Sequence, residues 1–297
     1  MKIAYCISAY TDPLQLARLV NALSQDAHFF IHVDGNVDLA IFKNVIVGDN
    51  IHYVKQYRIK WATVSQVNYQ IELLNQACCN TVQFDYIFIL SGFDYPLWPN
   101  SKISSFLEEN YGSEFIEAMD VQSTFYLNAL SREIRPSFEI KCIGDRGSKI
   151  LRELIRRVCK TLKIRKKPTI ALKDGTQLTV YKGSDYFCIS KSLAEYVISY
   201  YSTHPEIKRY FRNTFAPSEA LIHTIVFNSP FKRNCICCVP PYKGLKYMTP
   251  LHYISGTDIK VLCSSDYDQL IDSGKMFARK FRTGVSEDLI HRIEVNR

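Results

Sequence analysis

The chain has 297 residues, is 47% hydrophobic and contains only 12 glycines and 11 prolines, so it can bury a sizeable core and is neither disordered nor fibrous. Its formal net charge is +8, and no run of 18 apolar residues occurs, which excludes a membrane-spanning helix. Met1 is followed at once by "KIAYCISAY", too short and too polar for a signal peptide, so the ten cysteines are read as thiols in a reducing, cytoplasmic setting.

In chain order, "KIAYCIS" reads as a strand, Leu14 to Ser24 as a helix with Leu16, Leu19, Val20 and Leu23 on one face, and "HFFIHVD" as a second strand. Ile51 to Val54, a helix from about Val64 to Cys79, and "FDYIFILSG" repeat the alternation. Such a series predicts a mainly parallel sheet flanked by helices, with ligands bound at the carboxyl ends of the strands. Polar residues gather at those ends: Ser8 and Ala9 after the first strand, Asp34 after the second, Ser91 and Asp94 after a later one. Each alone suits a turn or cap; three strand ends together suggest a site.

Lys141 to Lys173 holds twelve Lys or Arg against Asp145 and Glu153, so this segment carries +10 and the rest of the chain −2. Within it Ile150, Leu151, Leu154, Ile155, Val158 and Leu162 fall at helical spacing, predicting a basic amphipathic helix over Lys149 to Lys167, an insertion at about 141–173 in a single 1–297 domain. Such a helix either docks on the core, with Ile150, Leu154 and Val158 inside, or lies on an anionic membrane; nucleic acid is the weaker reading and is set aside. Further on, "TFAPSEALIHTI" puts Glu219 two residues after Pro217, which alone suggests only a first-turn carboxylate at a helix start. "CICC", Cys235 to Cys238, lacks a second Cys pair and reads as a buried strand. The one D-x-D, Asp266 and Asp268, could hold a divalent cation, but Ser265-x-x-Asp268 before Leu270 and Ile271 reads as a helix cap.

No G-x-G-x-x-G follows the first strand, and neither a P-loop nor G-x-S-x-G is present. In order, "IHVDGN", "YIFILSGFDYPL", "YKGSDYFCISKSLAEYV", "APSEALIHTI" and "MFARKF" resemble the core-2/I-branching β-1,6-N-acetylglucosaminyltransferases, from Lys2 to about Phe281 and in a bacterial-type form. The resemblance implies a GT-A-like α/β fold, a UDP-sugar donor and inverting transfer, of GlcNAc by preference, with neither cofactor nor metal. It implies Glu219 as general base, although Ser218 replaces the acidic residue of the family's "PDE". Lys280, with Arg279 and Lys260 beside it, is implied at the diphosphate, and Asp34 at the uridine, with Ser8 and Ala9 near the donor. Asp94, Glu117 and Trp61 are candidate acceptor contacts, Trp61 being equally suited to the core. "LKYMTPLHY" lacks an expected Trp, so the acceptor should differ from that of the animal enzymes. Animal members carry a membrane anchor ahead of the catalytic domain, and this chain starts at its first strand. The expected acceptor is therefore a bacterial polysaccharide or lipid-linked oligosaccharide, met in the cytoplasm or at the inner face of the membrane. Two alternatives stay open: a metal-dependent transferase using Asp266 and Asp268, and a non-catalytic glycan- or nucleotide-binding protein.

Overall fold

The computed structural model describes residues 1–23, 26–122, 145–162, 166–238, 248–255 and 259–297. A five-stranded sheet forms its centre, in the order β10-β4-β1-β2-β3. Its strands are β1 (Ile3–Ala9), β2 (His28–Val33), β3 (Ile51–Tyr53), β4 (Tyr86–Ser91) and β10 (Phe187–Ser190). The first four run parallel, and β10 joins antiparallel, with Phe187 opposite Ile89. β1 carries no charged residue and is apolar up to Ser8 because both of its faces are covered, as in parallel sheets generally. Ala4 and Cys6 face one core, while Ile3, Tyr5, Ile7 and Ala9 face the other.

The helices on each face follow from caps and periodicity. α1 (Pro13–Ala22) begins at Asp12, whose side chain accepts from the Gln15 N–H at 3.1 Å, and Leu16, Leu19, Val20 and the capping Leu23 are all buried as their spacing predicts. Short α2 (Ala40–Lys43) and α4 (Asn100–Glu109) cover the same face, through Phe42, Ile103 and Leu107. On the opposite face, α3 (Val64–Cys78) is capped by Thr63, and α6 (Lys191–Thr203) by Ser190, whose hydroxyl accepts from Leu193 N–H at 3.2 Å. A short helix, Leu221–Phe227, is buried over its whole length and packs beside α6 and against Tyr181–Gly183. For α3 and for the start of α1 the helix ends lie within one residue of those predicted, the predicted end of α1 at Ser24 lies outside the described residues, and the periodic interiors stand as expected.

Two small sheets flank this frame. β6 (Glu117–Asp120) lies between β9 (Tyr181–Gly183) and β11 (Ile236–Cys238), and β13 (Phe277–Arg279) between β12 (His252–Ile254) and β5 (Asp94–Pro96). The "CICC" strand exists, but as an edge of its sheet, which leaves Ile236 48% exposed where a buried strand is expected. The basic segment divides in two. Its helix, α5, spans Asp145–Thr161, while β7 (Thr169–Ala171) and β8 (Gln177–Thr179) form a hairpin through Gly175, whose φ of 89° suits a turn.

Two histidines are sealed into this frame as neutral rings. Burial lowers His32 to about 4, and its Nε2 accepts from Tyr57 N–H at 3.0 Å; burial, helped by the charge of Lys182, lowers His223 to about 3. Both values lie below the unfolded histidine value of about 6.5, so the unfolded chain binds more protons as pH falls through that value. Stability should be full above about pH 6.5 and should decline on acidification, by up to about 2 kcal/mol per ring at pH 5. Urea unfolding at pH 7.5 and pH 5 checks this; equal midpoints would show that neither ring needs to stay neutral.

Candidate active site

The predicted residues fall into an acidic group around Glu219 and a basic group around Arg279, and the neighbours Asp185 and Tyr186 join the two along what we term the cleft. Glu219 ends a 3-10 turn, Pro217–Glu219, and the following helix begins only at Leu221. It therefore does not occupy the first turn of that helix, as the proline spacing suggests. What meets its charge is a side chain from another strand: Lys182 Nζ of β9 lies 2.9 Å from Glu219 Oε2, with the lysine 3% exposed and the glutamate 27%. The backbone around the turn is strained, because Ala216 and Ala62 both adopt positive φ (47° and 59°), and Ala216 N–H donates to Ala62 O at 3.0 Å. This bond brings the loop of Trp61 against the turn of Glu219. Trp61 is 75% exposed and meets Phe215 edge-on at 5.5 Å, so it is not a core residue; it presents an open aromatic face on the loop bonded to the Glu219 turn.

Asp185 completes the acidic side. It accepts from Gln70 Nε2 at 3.3 Å, and burial together with the negative charge of Glu219 pushes it up to about 7. The charge of Glu219 thus disfavours a second charge at Asp185, and Lys182 is the cation that faces Glu219. Neither Lys182 nor Asp185 is assigned by sequence reasoning. Both stand in "YKGSDYF", and the available signal was two charged residues in a strand end otherwise apolar. Gly183 between them is required for space: a Cβ there would come within 2.1 Å of Glu117 O and 2.5 Å of the His223 ring. Glu117 begins β6, one position beyond the Ala118–Gly183 pair, and so borders the same loop.

The basic side is built around a buried carboxylate. Asp94 is 0% exposed; its Oδ2 accepts from Ser91 N–H at 2.8 Å and lies 3.3 Å from His252 Nε2, and its Oδ1 lies 3.6 Å from Arg279 Nε. Arg279, itself 5% exposed, also donates to Ser91 Oγ at 3.4 Å and lies over the Tyr186 ring at 4.2 Å. Asp94 thus positions Arg279 from inside the protein, and does not lie open to an acceptor as expected. Tyr186 follows Asp185 directly, so one dipeptide touches both sides of the cleft.

Lys280 is part-exposed, and burial, followed by repulsion from Arg279 and Arg282, pulls it below the usual lysine range. A site that disfavours its own cations in this way is suited to an anion. Lys260 is brought alongside, since Leu262 N–H donates to Lys280 O at 2.8 Å, but its ammonium turns to Asp266 Oδ1 at 2.5 Å and is half exposed. Asp266 caps its own turn through Cys263 N–H at 3.0 Å, while Asp268 is exposed and pairs with Arg292 at 3.0 Å. Capping therefore holds, in a register two residues earlier than the sequence suggests. Among the described residues no group of three or more His, Cys, Asp or Glu could hold a metal ion.

The remaining candidates organise the rim. The Ser8 hydroxyl interacts with Tyr69, Ala9 is buried and its carbonyl accepts from Asp34 N–H at 2.9 Å, and Asp34 Oδ1 accepts from Asn36 N–H at 2.9 Å and Ile59 N–H at 3.2 Å. Asp12 fixes the loop after β1 to the chain beyond Lys280: Thr283 donates to it through N–H at 2.9 Å and through Oγ1 at 2.6 Å. A separate cavity of about 530 Å³, lined by Phe106, Glu114, Arg233 and Leu251 among others, contains none of these residues.

Xylosyltransferase 2 of Mus musculus is 24% identical over 240 residues, covering 77% of this chain and 25% of that protein. Xylosyltransferase sqv-6 of Caenorhabditis briggsae is 22% identical over 309 residues, covering 94% of this chain and 34% of the relative. The chain thus spans a quarter to a third of the length of these xylosyltransferases. Among solved structures, 4-diphosphocytidyl-2C-methyl-D-erythritolsynthase from Anaerococcus prevotii is similar at a TM-score of 0.32 and 12% identity, over 67% of this chain and 74% of that one. The profile of the Core-2/I-Branching enzyme family matches residues 3–237, which include every strand of the central sheet together with Lys182, Asp185 and Glu219, and the chain belongs to that family.

Proposed function

We propose that the protein is an inverting glycosyltransferase that moves a sugar from a UDP-sugar to a glycan hydroxyl without a metal ion, with Glu219 as general base. The observation that carries this reading is the division of the cleft: a carboxylate held by Lys182 on one side and the Arg279/Lys280 cations on the other, joined through Asp185 and Tyr186. In the proposed step the acceptor oxygen attacks the anomeric carbon from the face opposite UDP while Glu219 takes its proton. The bond from that carbon to the β-phosphate oxygen breaks, and its electron pair leaves on UDP. Lys280, with Arg279 behind it, meets the developing charge. Lys260 serves the same end only if its ammonium leaves Asp266, so it is ranked behind Lys280.

The protonated tendency of Asp185 suits this scheme, since a second full charge beside Glu219 would raise the cost of binding an anionic donor. Trp61 and Glu117 border the Glu219 turn and are proposed on the acceptor side, with Ser8, Ala9 and Asp34 on the donor side. GlcNAc is the sugar implied by the sequence motifs and xylose the sugar in the relatives' names, so a panel of UDP-GlcNAc, UDP-xylose and other UDP-sugars, read by release of free UDP, identifies the donor. A non-catalytic binding protein would release none.

Three outcomes test the roles. Glu219→Gln should keep UDP affinity and lose transfer by about 10²-fold or more, whereas Lys182→Met, which removes only the partner of Glu219, should lower kcat less. Full transfer by Glu219→Gln would remove that residue from the chemistry. Calorimetry should find that Lys280→Ala binds UDP more weakly while uridine binding changes little, because the lost contact is with phosphate charge; equal losses for both would indicate a folding defect. Transfer should survive excess EDTA, and Asp266→Ala should lower the melting temperature more than kcat, since it removes a cap and a lysine partner. Loss on chelation, with recovery on adding Mn²⁺, would favour a metal-dependent reaction.

A further inference from the structure

The basic helix α5 carries an apolar stripe that faces water. Ile150, Leu154 and Val158 recur every four residues and Leu162 follows at the helix end, and they are 72%, 55%, 46% and 64% exposed. Of the two readings of this helix, the one that packs Ile150, Leu154 and Val158 on the core is therefore not the one the structure shows. A row of four exposed aliphatic side chains on one helix marks an interaction surface, and scattered single residues do not. The charge around it is one-sided, at +10 for 141–173 against −2 for the rest of the chain.

This helix is tied to the cleft. Just beyond it, Lys166 Nζ donates to Tyr210 O and, at 2.7 Å, to Thr214 Oγ1, and the ammonium lies 4.2 Å from the centre of the Tyr210 ring. The Tyr210 hydroxyl donates back to Lys167 O at 2.5 Å. Thr214 leads directly into Phe215 and the strained Ala216 to Glu219 turn, beside the exposed Trp61. Lys166 and Lys167, which follow the helix in sequence, are thus bonded to the segment that leads into the Glu219 turn.

We propose that α5 docks the protein on an anionic lipid surface, setting Ile150, Leu154, Val158 and Leu162 into the headgroup boundary, and so presents the Glu219 cleft to a lipid-linked acceptor. The acceptor clause rests on the glycosyltransferase reading; the docking itself does not. Charge selects this occupant over the others. A second copy of the chain would bring +10 against +10, and a polynucleotide would meet the cations while leaving the aliphatic row in water. A surface of acidic lipids matches both features at once.

Vesicle flotation tests the docking, with vesicles of phosphatidylglycerol and phosphatidylcholine against phosphatidylcholine alone. Binding should require the acidic lipid and weaken in high salt. Changing Arg152, Arg156, Arg157 and Lys160 to Gln should weaken it by about 10²-fold or more, and Ile150→Ser with Leu154→Ser should weaken it at unchanged charge. Neither variant touches the cleft, so each should release UDP from the free donor at the rate of the unaltered protein, which keeps failure of docking distinct from failure of the enzymatic reading. Absence of binding at low salt overturns the proposal, as does binding that both variants retain. Tight binding to a short DNA or RNA duplex without binding to acidic vesicles, or a dimer in solution that Ile150→Ser abolishes, would overturn it in favour of that other occupant.

Discussion

The arrangement of the cleft depends on one carboxylate that water does not reach. Asp94 lies at the start of β5, immediately after the central strand β4, and it receives Ser91 from β4, His252 from β12 and Arg279 from β13. The end of the neighbouring strand and two segments remote in sequence therefore converge on a single charge. A buried ion pair adds little net stability, because desolvation opposes the attraction, yet removing one partner typically costs about 3–5 kcal/mol. The consequence is specificity of placement: β13 cannot slide relative to the central sheet without stranding a charge. Arg279 is held under the cleft, and Lys280, the next residue, is placed at its rim.

The acidic side obeys the same logic with weaker burial. Lys182 is almost fully enclosed, and its charge is tolerable because Glu219 lies 2.9 Å away. The enclosure depends on Gly183, where any side chain would meet Glu117 and His223, and on His223 staying neutral next to a lysine. The strained alanines at 62 and 216 add a local cost of order 1–3 kcal/mol each. Such strain persists where surrounding contacts overdetermine the backbone, and here the buried Leu221–Phe227 helix and the N-terminus of α3 supply them.

The two sides are linked through a short path. Asp185 responds to the charge of Glu219 while Tyr186 lies against Arg279, so the acidic and basic groups meet at adjacent residues. Asp12 closes the far rim. Burial of its carboxyl is outweighed by hydrogen bonds from Thr283 and Gln15, which hold it below the usual carboxylate range and pin the loop after β1 to the segment beyond Lys280.

The sequence alone determined the α/β class, the order of the central elements, the faces of α1 and α3, and the participation of Glu219 and Lys280 in recognisable motifs. Those features are written in local periods and caps, which act over a few residues and need no distant partner. Only the tertiary structure decided what each charge faces. Glu219 looked like a helix-start carboxylate because Pro217 and the apolar run are neighbours in the chain, but its partner Lys182 is 37 residues away in sequence. Asp94 looked open because it ends a strand, and proved sealed because β13 packs over it. Ile150, Leu154 and Val158 looked like core because a helical period marks an apolar face without saying what covers it. Burial and ion pairing arise from contacts between distant segments, and a single sequence records the chemistry of each partner without recording which partners meet.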